Sequence, residues 1–198
     1  MRRRAAILFV GAVLALGLWS LTGYSATDDD DDKKAIADAQ KDVLKLVQAM
    51  KNNSGDVKAQ VEALKKKNEE LKPIMWIYKP RNKGGLGVGK DGSGIENEFN
   101  RLSSTKSGPK TTLTPTKVNG MKNDLILAAQ ISRAIAEVTD LYPPKKDVDK
   151  WKGYTKDMRK GADELMEAAK SGDGAKIKNA IVNLNSSCTN CHSDFRND

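Results

Sequence analysis

Apolar residues recur at three- and four-residue spacings along most of this chain, and no stretch keeps the strict alternation of a strand. The predicted helices span about residues 33–51, 56–72, 95–102, 119–141, 148–170 and 175–196. Short turns separate the later helices, whereas a long irregular stretch interrupts the earlier ones. This order predicts an all-α fold, an antiparallel four-helix bundle with an extra N-terminal helix and a long loop insertion.

We expect one domain over residues 27–198. Its first part, 27–118, holds the N-terminal helices and a glycine-rich loop, and its second part, 119–198, holds the C-terminal bundle helices. The loop lies within 79–118 and is rich in glycine between residues 84 and 94. It follows no strand and lacks the Gly-Lys-Ser/Thr ending of a phosphate-binding loop. A flexible connection and a lid packed over a ligand are the two remaining interpretations.

Residues 1–26 have the layout of a secretory signal peptide. Three arginines precede an apolar run from Ala5 to Leu21, and small residues follow it. The alternative is an uncleaved N-terminal anchor, although its seventeen apolar positions are few for a membrane-spanning helix, which usually needs about 20. Both interpretations predict that the rest of the chain is exported, and an anchor would be its only contact with a membrane.

The formal net charge of +8 changes when this segment is removed. Its three arginines leave with it, so the mature chain carries +5. Lysines are mixed with acids along the sequence, and aromatic residues are only 5% of it. Nucleic-acid binding is therefore not expected, because it needs a concentrated basic surface and usually aromatic stacking.

The two cysteines and the single histidine of the chain lie together as Cys188-Thr189-Asn190-Cys191-His192. Cys-x-x-Cys-His is the attachment motif of c-type haem. On a helix these residues are related by i, i+3 and i+4, so both thiols and the imidazole share one face. The thiols can then form thioethers with the porphyrin vinyl groups, and the imidazole can bind the iron.

Three other uses of the motif were weighed. A zinc site lacks a fourth Cys or His ligand. A redox-active Cys-x-x-Cys usually opens a helix after a strand, whereas this one closes the last helix. A local disulfide fits an exported protein but leaves the histidine without a role.

On these residues the sequence resembles the class II c-type cytochromes, which include cytochrome c-prime. The similar region is about 119–198, with Trp151, the run 164–170 and the motif segment 187–196. The resemblance implies a four-helix bundle with one covalent haem c on its last helix and His192 as the proximal iron ligand. The segment 75–81 and the glycine-rich loop depart from the usual pattern and indicate a divergent branch.

The sixth position of the iron is open at this stage. His192 is the only histidine, so a second imidazole from this chain is excluded, and a Met, a Lys, a Tyr or a vacant site remain. The resemblance implies either a methionine of the first helix or a vacancy. We expect Met75, which lies among apolar and aromatic residues, with Met50 as the alternative. Arg196, one turn after the motif, is a candidate partner of a haem propionate.

The function expected from the sequence is haem-mediated electron transfer in the periplasm. Its lysines favour transient docking to acidic redox partner proteins. The alternative is a small-gas-binding haem protein for NO or CO with a vacant sixth position. Catalysis is not expected, because no acid–base or nucleophile constellation stands out beyond His192. Family members often dimerise through helices, which makes a homodimer a candidate assembly.

Overall fold

The computed structural model of the protein describes residues 27–104 and 112–196, with side chains from residue 30 onward. The predicted signal peptide lies outside these residues. The α-helices are α1 (Thr27–Lys51), α2 (Val57–Lys67), α3 (Lys72–Met75), α4 (Ile95–Ser103), α5 (Pro115–Thr139), α6 (Val148–Ser171) and α7 (Gly174–Phe195). Short 3-10 turns occupy Trp76–Tyr78 and Arg81–Lys83. None of the helices in these ranges has the length and apolar character needed to cross a bilayer.

The expected all-α fold is confirmed, and the long helices α5, α6 and α7 form its centre. They run alternately up and down because short turns join them. Their buried faces are apolar and include many alanines, which lets the helices approach closely. Gly161 of α6 marks the closest approach, since a Cβ there would lie 2.9 Å from the Cα of Leu184 in α7.

The short helix α4 packs beside α7. Asn185 of α7 donates a hydrogen bond to Asn100 of α4 over 3.1 Å. Ile95, Phe99 and Leu102 of α4 are buried and complete the core on this side. The insertion therefore supplies a bundle helix as well as a loop.

The N-terminal helices α1 and α2 pack mainly on the α5 side of the bundle. Asp42 of α1 accepts a hydrogen bond from Lys67 at the end of α2 over 2.5 Å. Tyr142, just after α5, donates to the carbonyl of Asn68 over 2.7 Å. The end of α2 and the part of α1 around Asp42 therefore lie at the end of the bundle where α5 finishes.

Three predicted boundaries were wrong by four to six residues. Helix α1 begins at Thr27 and not near Lys33, and capping explains the other two. We expected α2 to continue to Lys72, but it ends at Lys67 because the amide of Asn68 bonds back to Leu64 and leaves the helical conformation. We expected α5 to begin near Asn119, but it begins at Pro115. Thr114 caps it by accepting from the Lys117 amide, and proline suits the first turn of a helix.

The glycine-rich loop is a folded element with its own hydrogen bonds. The amide of Val88 donates to Ser93 over 2.6 Å, which closes a tight hairpin, and the amide of Arg81 donates to Gly92 over 2.9 Å. Gly87 and Gly92 have positive φ angles of 64°. Trp76 donates its indole N–H to the carbonyl of Lys83 over 2.7 Å. These bonds give residues 76–93 a defined fold, and residues 105–111 of the long irregular stretch lie outside the described part of the chain.

Candidate functional site

The helix that carries the Cys-x-x-Cys-His motif is capped at both ends. Asp173 accepts hydrogen bonds from the amides of Ala175 and Lys176, which is the usual way to satisfy the first N–H groups of a helix. At the other end, the amide of Arg196 donates to the carbonyl of His192 over 3.0 Å. The motif therefore lies on regular helix and occupies its last two turns.

The structure brings the three motif side chains to one face of α7, where the buried stripe of the helix reaches the end of the bundle. Cys188 is half-buried and packs against the core, Cys191 is half-buried, and His192 is exposed. The structure records both cysteines as free thiols. The three groups therefore run from the bundle interior at Cys188 to the surface at His192.

Burial keeps both thiols protonated. It raises the pKa of Cys188 from 9.0 to about 11, and neighbouring Cys191 and Glu96 add to the shift. Burial also raises the pKa of Cys191 to about 11, with a further contribution from the charge of Asp194. At neutral pH the site thus presents S–H groups and very little thiolate, the form that reacts readily with oxidants.

An aromatic cluster holds the last turn of α7 against the first turn of α6. The rings of Trp151 and Phe195 meet edge to face, with centroids 5.3 Å apart, and Tyr154 meets Phe195 in the same way at 6.3 Å. The buried Trp151 also donates its indole N–H to the carbonyl of Thr139 over 3.0 Å. The ends of α5, α6 and α7 are thus joined through one indole.

A polar contact beside this cluster joins the same two helices. Asp194 accepts a hydrogen bond from the hydroxyl of Tyr154 over 2.5 Å and forms an ion pair with Lys150 over 2.7 Å. These two partners lower the pKa of Asp194, with Lys150 the larger cause. The residues that follow His192 are therefore fixed against α6, while the side chain of His192 itself is exposed.

On the interior side, the segment before the glycine-rich loop faces Cys188. Tyr78 donates a hydrogen bond to Ser132 of α5 over 3.2 Å. Burial raises the pKa of Tyr78 well above 10.0, and the charge of a Cys188 thiolate adds to this effect. Glu96, which acts on Cys188 in the same way, pairs with Lys79 over 3.0 Å.

The remaining predicted residues lie at different distances from the motif. Met75 is half-buried against the core and precedes Tyr78 by one turn. Met50 lies in the last turn of α1 and is half-buried against the core. Arg196 is exposed directly after α7. Met75 therefore lies in the segment that carries Tyr78, whereas Met50 lies in the N-terminal helix α1.

The donor set of the site fits haem c. Two thiols spaced i, i+3 and one imidazole on the same helical face match two thioether anchors and one axial ligand. Within residues 27–104 and 112–196, no group of three or more His, Cys, Asp or Glu side chains is arranged to hold a bare metal ion. Cys188 and Cys191 would hold a haem through their sulfur atoms, and His192 would bind its iron.

An all-helical bundle whose last helix carries two thiols and one imidazole on a common face resembles the class II c-type cytochromes. Residues 145–196 match the family model described as Cytochrome C', which confirms the resemblance inferred from the motif. The match covers α6 and α7 and begins later than the predicted similar region, which started near residue 119. No curated protein and no solved structure matches the chain.

Sequence reasoning missed the groups that surround the motif. Tyr78 was counted only as part of an apolar patch, and nothing in its local sequence shows that its hydroxyl enters the core beside Ser132. The contact between Lys150 and Asp194 joins residues 44 positions apart and leaves no periodic signal. Only the aromatic residues at the two helix ends, Trp151 and Phe195, were detectable, because both lie on apolar stripes.

Proposed function

We propose that the protein is an exported c-type cytochrome that attaches one haem c and transfers electrons with it in the periplasm. Cys188 and Cys191 would hold the haem covalently, and His192 would be the proximal iron ligand. The single observation that carries this proposal is the common face of two half-buried thiols and an imidazole at the end of the last bundle helix. The matching family model covers this helix.

Each motif residue has a separate role in this proposal. A haem supplies a one-electron couple between ferric and ferrous iron when it is bound. A thioether forms when S–H adds across a vinyl double bond, so no atom is lost and the protonated thiols of Cys188 and Cys191 already carry the hydrogen required. The contacts of Asp194 and Phe195 with α6 would keep the imidazole of His192 in one orientation.

Acidic redox proteins are the partners expected in this proposal. The mature chain has a net charge of +5, and Lys145, Lys146 and Lys152 are exposed near the end of the bundle where His192 lies. Charge complementarity accelerates transient docking and leaves affinity low, as electron exchange requires. The predicted signal peptide supports the periplasmic location. The proposal includes no catalytic activity.

Mass spectrometry of denatured protein from its native host tests haem attachment. We expect the mature chain plus one haem, and we expect this adduct to resist acid extraction. Cys188→Ala and Cys191→Ala should each retain one thioether, and the double variant should lose the haem on extraction. Ser187→Ala is the matched control on the same helix and should keep the adduct. A wild-type mass equal to the bare chain would exclude the proposal.

Small-gas binding is the second candidate, and the hydroxyl pair of Tyr78 and Ser132 favours it. A polar pair inside the bundle near Cys188 suits an iron site that receives an external ligand better than one whose sixth position is filled by a methionine sulfur. Mixing the ferrous protein with CO separates the two functions. A rapid Soret shift supports gas binding, whereas an unchanged low-spin spectrum supports electron transfer.

A further inference from the structure

The hydroxyl groups of Tyr78 and Ser132 form a polar pair inside an otherwise apolar bundle. Their oxygens are 3.2 Å apart, and Ser132 is completely buried. Burying a hydroxyl costs free energy that a single hydrogen bond only offsets. Phenylalanine in place of Tyr78 and alanine in place of Ser132 would fill the same space without this cost. Packing alone therefore does not explain the pair.

Ion pairs across the bundle show at which level this polar pair lies. Arg133, the neighbour of Ser132, pairs with Asp163 of α6 over 3.3 Å. The next residue of α6, Glu164, accepts a hydrogen bond from Asn183 of α7 over 3.0 Å. Ser132 is therefore level with the middle of α7, just before the motif begins.

The distance along the bundle from this level to the motif is short. Cys188 follows Asn183 by five residues, which is about 7.5 Å of helix. The segment of Tyr78 lies against the start of α4, where Lys79 pairs with Glu96 over 3.0 Å. Helix α4 in turn contacts α7 one turn before Cys188, through Asn100 and Asn185. A haem attached at Cys188 and extending into the bundle would therefore be wide enough to reach the Tyr78 hydroxyl.

The glycine-rich loop fixes the backbone on either side of Tyr78. A Cβ on Gly94 would lie 2.6 Å from the carbonyl oxygen of Tyr78, and a Cβ on Gly85 would lie 1.9 Å from that of Lys79. Only glycine permits these approaches, so the loop packs directly onto the chain behind the tyrosine ring. The loop thus fixes the backbone of Tyr78, and Ser132 fixes its hydroxyl.

We propose that the Tyr78 hydroxyl, held by Ser132, donates a hydrogen bond to an anionic ligand bound at the sixth position of the haem iron. This proposal rests on haem attachment at Cys188 and Cys191 and on the second candidate function, in which the sixth position is open to an external ligand. It assigns the sixth position to an external ligand, so Met75 is a packing residue.

The hydrogen-bonding capacity of the pair suits this role. Two hydroxyl groups carry two protons, and the structure records one side-chain hydrogen bond between these residues. By rotation about its C–O bond, Tyr78 can accept from Ser132 and direct its own proton to a ligand. Burial keeps the tyrosine protonated, so it acts as a donor and not as an anionic iron ligand.

Equilibrium titration of the ferric protein with potassium cyanide tests the proposal. A hydrogen bond to a charged acceptor contributes about a tenfold difference in affinity. We expect Tyr78→Phe to raise the cyanide dissociation constant about tenfold and to leave CO binding to the ferrous protein within about twofold, because CO is neutral. Tyr142→Phe, which removes the hydroxyl that bonds to Asn68, is the matched control and should leave both constants unchanged.

Three results would overturn the proposal. Tyr78→Phe could leave the cyanide constant unchanged, or it could weaken cyanide and CO equally, which would indicate a purely structural role. A wild-type protein that binds neither ligand would have its sixth position held by a side chain. Absence of covalent haem would instead contradict the proposed function, so the two failures are distinguishable.

A measurement on the wild-type protein covers the case in which Tyr78→Phe does not fold or does not load haem. The vibrations of iron-bound cyanide, recorded by resonance Raman spectroscopy in H2O and in D2O, report an exchangeable proton bonded to the ligand. We expect a frequency shift between the two solvents. Identical frequencies would exclude a hydroxyl donor.

Discussion

Trp151 and Phe195 join the beginning of α6 to the end of α7 through an edge-to-face contact of 5.3 Å. Phe195 is three residues beyond His192, so this contact anchors the turn that presents the imidazole. The same indole bonds to the carbonyl of Thr139, which extends the anchor to the end of α5. The orientation of His192 therefore depends on contacts of its last helical turn with α6 and, through Trp151, with α5.

Removal of this ring should loosen the last turn of α7. We expect Phe195→Ala to lower the free energy of unfolding by about 1–2 kcal/mol, since it removes one aromatic pair and part of a buried side chain. Thermal or denaturant unfolding followed by circular dichroism measures the change. Val182→Ala on the exposed face of the same helix is the control and should cost less than about 0.5 kcal/mol. Equal losses in both variants would contradict the anchoring role.

Replacement of the two candidate methionines tests the sixth position directly. Met50→Ala should leave the optical spectra unchanged, because the Tyr78 inference assigns the sixth position to an external ligand. Met75→Ala should also leave them unchanged if the sixth position receives an external ligand, as inferred from Tyr78. A changed ferrous spectrum in Met75→Ala alone would identify the sulfur of Met75 as the sixth ligand. It would then contradict the Tyr78 inference while leaving electron transfer intact.

The close approach of α6 and α7 should depend on Gly161. A methyl group there would lie 2.9 Å from the Cα of Leu184, so Gly161→Ala must push the helices apart and should cost about 1–3 kcal/mol. Gly153 lies in the same helix with nothing near its Cβ position. Gly153→Ala should therefore stabilise the protein by about 0.5–1 kcal/mol. Denaturant unfolding of both variants compares them, and a loss of similar size in each would show that packing is not the cause.

The contact between α1 and α2 should make stability depend on pH through Asp42. Burial opposes ionisation of this carboxyl, but the hydrogen bonds and charges of Lys67 and Lys45 outweigh it and lower its pKa below 3.8. A lowered pKa stabilises the folded state above the unfolded value, and this stabilisation disappears as the pH falls through the folded pKa.

Asp42→Asn should therefore be less stable than the wild type at neutral pH. The difference should shrink as the pH falls below the unfolded value of 3.8, and unfolding measured across acidic pH would show the two curves converging. Asp157→Asn on the exposed face of α6 is the control. A constant difference between wild type and Asp42→Asn at all pH values would contradict the ionic origin.

The helices and the haem-binding motif were predictable from the sequence because both depend on local spacing. A period of 3.6 residues marks the buried faces of α5, α6 and α7, and the motif brings its three residues to one face within a single helix. Helix ends were less accurate, because a cap such as Thr114 or Asn68 decides the boundary through one hydrogen bond. Such a bond depends on backbone conformation as well as on residue type.

The surroundings of the motif were decided only by tertiary structure. The sequence by itself determined an all-α bundle and two thiols with one imidazole at the end of its last helix. It left the inner side of the site open among Met, Lys, Tyr and a vacancy. Tyr78 meets Ser132 across 54 positions, and this contact exists only because the glycine-rich loop and α4 fill the place beside α7. Long-range packing sets which side chain enters a core, and no local pattern records it.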